Sequence, residues 1–348
     1  MTRVRTVAGD IDSSSLGITL FHEHILLDGT AGWHEAQADD AEGREIASAP
    51  VRMEYLDRLH NDPYLSLDNT RLDSIDDAVA ETGYFASLGG RTIIDVTLDA
   101  IGRDPHGLRD IAGRIGLNII MGSGFYLERG HPPGLASMTA ADVADHIVHD
   151  VEVGVDGICA GVIGEIGVGL HFAASEEKVL RGAARAQVRT GVPLSVHIPA
   201  WLRYGHRVLD IVEEEDCDPH AVVLCHMNPS AVDPAYQRSL ADRGAWIEYD
   251  MLGMDYYYPG EGQSPSDADN ANAIAGLVAD GYAGSLLMSH DIFFKTLLRR
   301  YGGGGYGHVL ANFVPRLERH GVSRETSLSI LTDNPRTVFE SAAKGERT

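Results

Sequence analysis

Two histidines separated by one residue close an apolar run near the start of the chain. His22 and His24 lie at the end of residues 18–24, which otherwise read as a short strand. Side chains alternate faces along a strand, so the two imidazoles point the same way. Two imidazoles on one face can bind one divalent metal ion, although this spacing is also common among ordinary core or surface histidines. The pair becomes informative through the other polar residues at strand ends.

Later apolar runs also contain or end in a histidine or a carboxylate. Glu165 lies inside residues 161–166, where burial of an unpaired charge would be costly. His197 and His226 each end such a run, and Asp291 ends the last one. Taken singly, each of these histidines is better explained as a hydrogen-bonded core residue than as a metal ligand. Together, imidazole and carboxylate ligands without thiolate predict two divalent ions, with zinc expected first and manganese, cobalt or iron as alternatives.

The elements that carry these residues alternate regularly along the chain. Eight β-rich runs are separated by segments long enough for a helix. They are residues 18–24, 91–97, 118–125, 161–166, 193–198, 221–226, 245–250 and 285–291. This alternation predicts an α/β fold, a (β/α)8 TIM barrel, whose strand ends share one rim. A doubly wound open sheet is the alternative, which the lack of a glycine-rich phosphate loop after the first strand disfavours.

Several features depart from the regular alternation. We expect a short N-terminal β extension and an enlarged loop after the first barrel strand, since residues 28–85 are longer than one helix needs. That loop is a candidate wall of the substrate pocket. Four glycines at 302–305 predict a mobile loop, a plain connector or close backbone approach to a ligand. Asn334 and Pro335 predict a cap and the first turn of a helix.

Composition limits the class of protein. The 348 residues are 44% hydrophobic and 23% charged, and we expect a single domain over residues 1–348. The 51 acidic and 28 basic residues give a net charge of −23, which argues against nucleic acid and membrane partners and leaves a small-molecule substrate. Without a signal peptide or membrane span, we expect a cytoplasmic location. Three scattered cysteines indicate neither disulfides nor a thiolate metal site.

Taken together, the chain resembles the phosphotriesterase-like branch of the amidohydrolase superfamily. The resemblance is carried by residues 19–24, 90–97, 101–104, 122–126, 289–306 and 334–336. It implies a distorted (β/α)8 barrel with a binuclear metal centre. By that resemblance His22, His24 and Asp291 hold the more buried ion, and His197 and His226 hold the more exposed one.

Glu165 matches the position of the ligand that bridges the two ions. Many members of the family have a carboxylated lysine there, whereas a subset that includes the phosphotriesterase homology proteins has a glutamate. Pro229 replaces an aspartate of the organophosphate-hydrolysing relatives, and Met251 replaces a histidine of those relatives or an arginine of lactonases. The resemblance therefore implies an incomplete proton relay, which argues against efficient phosphotriester hydrolysis.

The predicted function is metal-dependent hydrolysis. A hydroxide that bridges the two ions attacks the carbonyl of a lactone or carboxylic ester. An N-acyl amide hydrolase or a weak phosphotriesterase is the alternative enzyme, and a metal-binding barrel without activity is the non-enzymatic alternative. Asp291 is predicted to take the proton of the hydroxide and deliver it to the leaving group. Tyr126 matches a tyrosine that lies over the metal centre in lactonase relatives.

Substrate contacts are predicted for four residues. Lys295 and Arg299 belong to a basic cluster in an acidic protein, and a guanidinium binds a carboxylate or phosphate bidentately. The alternative for both is a solvated helix face or pairing with nearby carboxylates. Met251 and Tyr126 are expected in the wall of the site. Relatives are often dimers, so the resemblance also allows a homodimer.

Overall fold

Eight parallel strands form the centre of the fold. The computed structural model describes residues 2–37 and 40–343, and these contain fourteen strands and eleven α-helices. Strands β1 to β14 are Arg3–Thr6, Gly9–Asp12, Ile18–Glu23, Leu27–Asp28, Arg71–Leu72, Gly90–Asp95, Asn118–Ser123, Val162–Gly167, Leu194–His197, Val222–Leu224, Trp246–Tyr249, Tyr257–Tyr258, Gly262–Gln263 and Leu286–Met288. Helices α1 to α11 are Ala41–Ser48, Leu56–Asn61, Ile75–Ser87, Pro105–Ile115, Ala140–Glu152, Ala174–Thr190, Gly205–Glu214, Pro234–Ala241, Asp267–Ala279, Val314–Arg319 and Arg324–Ala343.

The central sheet is nearly closed into a barrel. Its strand order is β14-β11-β10-β9-β8-β7-β6-β3, and all neighbouring strands pair in parallel. Its two outer strands meet at their carboxyl ends, where the Asp291 N–H donates to His22 O at 3.2 Å and the His22 N–H donates to Ser289 Oγ at 3.1 Å. The predicted barrel of eight strands is confirmed.

Strands and helices form for ordinary reasons. In β7, Ile119, Ile120 and Met121 are completely buried, as expected for a strand covered on both faces. The helix that precedes it, α4, begins after Asp104, whose side chain accepts from the Gly107 N–H, and has proline at its first position. It ends at Gly116, which adopts φ +76°. The crossover through α4 thus brings β7 back parallel to β6.

The two predicted additions to the barrel are present. β1 and β2 form an antiparallel hairpin at the start of the chain, which is the predicted β extension. The enlarged loop after β3 contains the antiparallel pair β4 and β5 together with α1 and α2. It has a small core of its own, made of Ile46, Val51, Leu59 and Leu65. This core lets the insertion hold a fixed shape above the barrel.

The interpretation of Asn334 and Pro335 as the start of a helix was wrong. Helix α11 begins ten residues earlier and continues through Pro335. The helix gives up one backbone hydrogen bond at the proline, and the burial of Leu331 and Val338 on its inner face outweighs that loss. The Asn334 side chain donates instead to Ala283 O at 2.8 Å and to Leu286 O at 2.7 Å. It therefore ties the helix to the start of β14.

The glycines at 302–305 approach the chain itself. A Cβ on Gly303 would lie 2.1 Å from Leu297 O, and Gly302 and Gly305 have φ values of +104° and +61°. The close backbone approach that the sequence suggested is therefore to a neighbouring turn and not to a ligand. The adjacent Tyr306 hydroxyl donates to His24 O at 2.7 Å, so this turn helps to hold the backbone of His24 in place.

None of the described helices combines the length and the apolar character that a membrane crossing requires.

Candidate metal centre

The structure brings the six predicted metal ligands together at the carboxyl ends of the barrel strands. His22 lies in β3 and His24 just after it, and Glu165 lies in β8. The other ligands come from three further strands: His197 ends β9, His226 follows β10 and Asp291 follows β14. Their side chains are buried or nearly so, with His197 the most exposed at 18%.

Glu165 lies at the centre of this cluster, and its two oxygens face different histidines. Oε1 lies 3.4 Å from His24 Nε2. Oε2 lies 3.1 Å from His197 Nδ1, 3.4 Å from His226 Nε2 and 3.6 Å from His22 Nε2. This is the arrangement expected of a carboxylate that joins two neighbouring ligand sets.

Asp291 faces three of these histidines, His22, His24 and His226. Its Oδ1 lies 3.2 Å from His24 Nε2 and 3.5 Å from His22 Nε2. Its Oδ2 is less engaged, with His226 Nδ1 at 3.7 Å. Both His226 and Asp291 adopt left-handed backbone conformations, with φ of 57° and 53°. Non-glycine residues in this region are uncommon and are held there by their surroundings.

Polar groups lie behind three of the histidine rings, on the side of their Nδ1 atoms. Thr97 Oγ1 lies 2.9 Å from His24 Nδ1. Asp250 lies 3.4 Å from His22 Nδ1 and 3.2 Å from His226 Nδ1, and its carboxylate also accepts the His226 backbone N–H. The Thr97 contact is a hydrogen bond of the kind usual behind metal-binding histidines, whereas Nδ1 of His22 and of His226 has no hydrogen-bond partner among the described residues. The Nε2 atoms of all three rings face Glu165, and His226 Nε2 also lies 2.8 Å from His197 Nδ1.

A second buried network holds the loop that carries Asp291. Glu23 Oε1 accepts hydrogen bonds from Ser289 Oγ and from the His290 backbone and ring, while Oε2 accepts the Ile292 N–H. His290 Nε2 accepts the Val309 N–H at 2.9 Å, so the ring proton must lie on Nδ1, which donates to Glu23. The residue between His22 and His24 thus braces the last strand.

The carboxylates of the cluster favour their charged forms. Burial raises the pKa of Glu165, but the charge of His22 and hydrogen bonds with His197 and His226 outweigh it and bring the pKa well below its ordinary value. The pKa of Asp291 is also lowered, because His22 outweighs the effect of burial there. Both side chains are therefore anionic acceptors at neutral pH.

The histidines respond in the opposite direction. Burial lowers the pKa of His24, but hydrogen bonds with Asp291 and Glu165 outweigh it and raise the pKa to about 9. The pKa of His226 rises to about 10 against the effect of burial, because of Asp250 and Glu165. Without metal, protons therefore occupy the cluster, and a metal ion must displace them on binding.

The donor set fits metal ions. His22, His24 and Asp291 offer ligand atoms within 4.8 Å of one another, as do His22, Glu165 and His226. His22 Nε2 is buried without a hydrogen-bond partner among the described residues. Such a group is costly unless something satisfies it, and imidazole nitrogens with carboxylate oxygens are the ligands that zinc and related ions accept. A metal ion would supply the missing partner.

A further acidic cluster lies behind His22. Glu248 Oε2 is 3.7 Å from His22 Nδ1, and both Glu248 oxygens are buried without a hydrogen-bond partner among the described residues. Cys225 and Asp250 lie beside them. Burial raises the pKa of Glu248 to about 7. The sequence interpretation missed Glu248, although a carboxylate inside the apolar strand β11 was the same signal that identified Glu165.

A cavity opens onto the centre. Besides five of the predicted metal ligands, two of the predicted substrate contacts line it, Tyr126 and Met251, and the Tyr126 hydroxyl lies 3.4 Å from His197 Nδ1. The insertion after β3 contributes Tyr64, which confirms that this loop is a pocket wall. The remaining apolar wall consists mainly of Leu27, Ile101, Leu127, Trp201, Met254, Tyr258, Phe293 and Phe294.

The two basic residues predicted to bind substrate lie elsewhere. Lys295 Nζ is 2.5 Å from Asp68 Oδ1, and the Arg299 guanidinium stacks on the ring of Tyr84 with 3.5 Å to its centroid. Neither residue lines the cavity. For Lys295, the contact matches the alternative interpretation, pairing with a nearby carboxylate. Substrate binding by Lys295 and Arg299 stays a prediction without a contact to support it.

Two charged residues of the cavity were missed by sequence reasoning. Arg129 lies in the loop after β7, and Glu261 lies between β12 and β13. The available signal for Arg129 was its position, three residues after Tyr126 in a loop at the carboxyl end of a barrel strand. Glu261 had no comparable signal, because it lies well beyond the end of β11, in the turn between β12 and β13.

A nearly closed parallel barrel with histidines and carboxylates at its carboxyl rim defines a metal-dependent type of barrel hydrolase. The model of the phosphotriesterase family matches residues 2–339, and the chain belongs to this family. N-acetyltaurine hydrolase from Salmo salar is 34% identical over 340 residues, which cover 96% of this chain and 97% of the relative. These relationships identify the chain as a hydrolase acting on small molecules.

Two solved structures extend the comparison. A resiniferatoxin-binding protein from Rhodobacter sphaeroides is 48% identical, superposes with a TM-score of 0.96, and the alignment covers 98% of this chain and 96% of the other. A lactonase from Listeria monocytogenes superposes with a TM-score of 0.78 at 24% identity, over 97% and 99% of the two chains. At that identity, the second likeness supports the fold alone.

Proposed function

We propose that this protein is a two-metal hydrolase that cleaves the amide bond of a small N-acyl compound. The position of Glu165 carries the proposal, because it lies among histidines of both proposed ligand sets: Oε1 faces His24, and Oε2 faces His197 and His226, with His22 slightly farther from Oε2 at 3.6 Å. The amide as the scissile bond is supported by the relatives named N-acetyltaurine hydrolase, which are 30–34% identical over nearly the whole chain. This choice replaces the lactone or ester favoured by the sequence interpretation with its stated alternative.

The residues at the rim divide into two ligand sets that share Glu165. His22, His24 and Asp291 would hold one divalent ion, and His197 and His226 the other. Zinc is the first candidate for both positions, because the set contains only imidazole and carboxylate groups. When bound, two such ions lower the pKa of a water molecule toward neutrality and polarise an acyl oxygen.

Asp291 is the proposed proton carrier. Its Oδ1 faces His22 and His24, whereas the contact recorded for Oδ2 among the described residues is with His226 Nδ1, at 3.7 Å. Oδ2 is therefore free to accept a proton from the attacking water and to donate it to the departing amine nitrogen. An amide needs this second transfer, because an unprotonated amine is a poor leaving group.

Tyr126 and the apolar wall orient the substrate. The Tyr126 hydroxyl lies 3.4 Å from His197 Nδ1, and burial keeps the pKa of this phenol well above its ordinary value. Tyr126 therefore stays a neutral donor that can hold an acyl oxygen. Met251 and Phe293 belong to the wall that excludes bulk water from the reacting carbonyl.

A substrate screen tests the proposal. Protein loaded with zinc or with manganese is assayed on N-acetyltaurine, other small N-acetyl amides, lactones, aryl esters and phosphotriesters. We expect the largest kcat/KM for an N-acetyl amide. Efficient turnover of lactones or esters without turnover of amides would show that the proposed bond is wrong. Absence of any hydrolysis by protein that contains two equivalents of metal would overturn the proposed activity as a whole.

A further inference from the structure

The cavity contains one arginine and no lysine among the residues that the structure describes. This residue, Arg129, is exposed and lines the cavity together with Tyr126 of the same loop. Most basic side chains of this acidic protein are paired with carboxylates, as Lys295 is with Asp68. Within the described ranges, Arg129 has neither an ion pair nor a side-chain hydrogen bond. An unpaired guanidinium at a substrate cavity can use all of its N–H donors to bind an anion.

The loop that carries Arg129 is held firmly, although the side chain is not. The Glu128 N–H donates to Glu176 Oε1 at 3.1 Å, and the Glu128 carboxylate accepts from Ser175 Oγ at 2.6 Å. On the other side, His131 Nε2 donates to Tyr126 O at 2.8 Å, and the His131 N–H donates to Glu128 O at 3.0 Å. The backbone of Arg129 is thus fixed from both sides, which lowers the entropic cost of using its side chain for binding.

Tyr126 links this arginine to the metal centre. Its hydroxyl contacts His197, and its backbone begins the loop that presents Arg129. The two proposed ions would offset the charges of Glu165 and Asp291 at the inner end of the cavity, whereas Glu261 leaves a negative charge on the wall. An anionic group held away from the ions therefore needs its own cation, and Arg129 is the only arginine or lysine that the described cavity wall offers it.

We propose that Arg129 binds an anionic group, a sulfonate or a carboxylate, at the end of the substrate remote from the scissile amide. This inference rests on the proposed function and narrows it to N-acyl amides of small amino acids or amino sulfonates. A guanidinium donates two parallel hydrogen bonds to either group. Arg129 then determines specificity, while the rim residues perform the reaction.

The test compares a charged substrate with a neutral analogue of the same shape. N-acetyltaurine carries a sulfonate, and N-acetyl-2-aminoethyl methyl sulfone replaces it with an uncharged group. The Arg129→Gln variant should raise KM for the sulfonate by about 10- to 100-fold, as expected for loss of a charge-assisted hydrogen-bonded pair, and leave KM for the sulfone unchanged. Arg129→Lys should recover part of the difference.

Arg319→Gln is the matched control, because Arg319 is an exposed arginine on α10 outside the cavity. It should change neither KM. Equal effects of Arg129→Gln on both substrates, or no effect on either, would overturn the inference. N-acetyl-β-alanine, assayed alongside, distinguishes a carboxylate from a sulfonate as the preferred anion.

Calorimetry separates this inference from the proposed function. If the wild-type protein cleaves none of these amides, the proposed function fails, and binding of N-acetyltaurine to zinc-loaded protein decides the role of Arg129. Affinity that falls about tenfold or more in Arg129→Gln, but not in Arg319→Gln, supports anion binding by Arg129. Equal affinity in all three proteins, or no binding to the wild type, contradicts it.

Discussion

Glu165 and Glu248 are buried glutamates in apolar strands, and they approach the His22 ring from its two opposite nitrogens. Histidines surround Glu165, and its pKa lies well below the ordinary value. Glu248 has no hydrogen bond to either oxygen among the described residues, and burial raises its pKa to about 7. A buried carboxylate alone therefore does not make a metal site. The site arises where several strands direct imidazoles at the same carboxylate.

Changing Glu165 or Glu248 to Gln should give the largest difference in metal content and activity between the two sides of His22. Glu165→Gln removes the charge of the shared ligand, so zinc binding should fall below two equivalents. Loss of a group that only supports a metal ligand lowers activity by up to roughly a hundredfold, so kcat/KM should drop by more than that here. Glu248→Gln, the matched control, should keep two equivalents at saturating zinc. Metal analysis after dialysis checks both proteins. Full metal content in Glu165→Gln would contradict the shared role of Glu165.

A substitution of Asp291 tests the proposed proton transfer on the Glu165 side of His22. Asp291→Asn keeps the size of the side chain but removes the acceptor for the proton, so kcat should fall by roughly a hundredfold or more. The kinetic assay must be paired with metal analysis, because Asp291 is also a predicted ligand. A rate near that of the wild type in fully loaded protein would remove Asp291 from the proton transfer.

Glu248 should affect the free energy of unfolding, and the size of that effect should depend on pH. Because folding raises its pKa from the ordinary value to about 7, the stability contributed by the protonated form is present below about pH 4.5 and is lost as the pH rises through 7. Glu248→Gln should therefore stabilise metal-free protein at pH 8 by about 2–3 kcal/mol and have little effect near pH 4.5.

Urea unfolding of metal-free wild type and Glu248→Gln at the two pH values measures this difference. The variant should unfold at higher urea concentration at pH 8. A destabilised variant at pH 8 would mean that the ionised Glu248 is useful to the fold, which would remove the contrast with Glu165.

Arg299 should show the smallest effect. Its guanidinium stacks on Tyr84 away from the cavity, so Arg299→Ala should cost about 0.5–1 kcal/mol of stability and leave KM unchanged for charged and neutral substrates. Thermal unfolding and the substrate pair used for Arg129 check these outcomes. An increase in KM for the anionic substrate alone would restore the predicted substrate role of Arg299 and weaken that of Arg129.

Much of the fold could be predicted because each barrel strand is a separate apolar run. All eight runs became barrel strands, since periodicity and turn residues act locally. Helix α11 was misplaced, because a proline that follows an asparagine is a good local start signal. Only packing against the barrel reveals that the helix continues through Pro335.

The candidate site was predictable where it depends on strand ends and failed where it depends on loops. His22, His197 and Asp291 meet because parallel strands end at one rim, which topology guarantees. Lys295 belongs to a basic cluster in the sequence, but in the structure it pairs with Asp68. Arg129 has no basic neighbours in the sequence, yet it lines the cavity. Sequence neighbours indicate which charges are available, whereas the loop conformation decides which of them remain unpaired.

The most direct test of the two-metal centre is a crystal structure of zinc-loaded protein with anomalous data collected at the zinc edge. We expect two peaks about 3.5–4 Å apart, one between His22, His24 and Asp291 and the other beside His197 and His226, with Glu165 between them. A single peak, or a peak among Cys225, Glu248 and Asp250 in place of the second site, would contradict it.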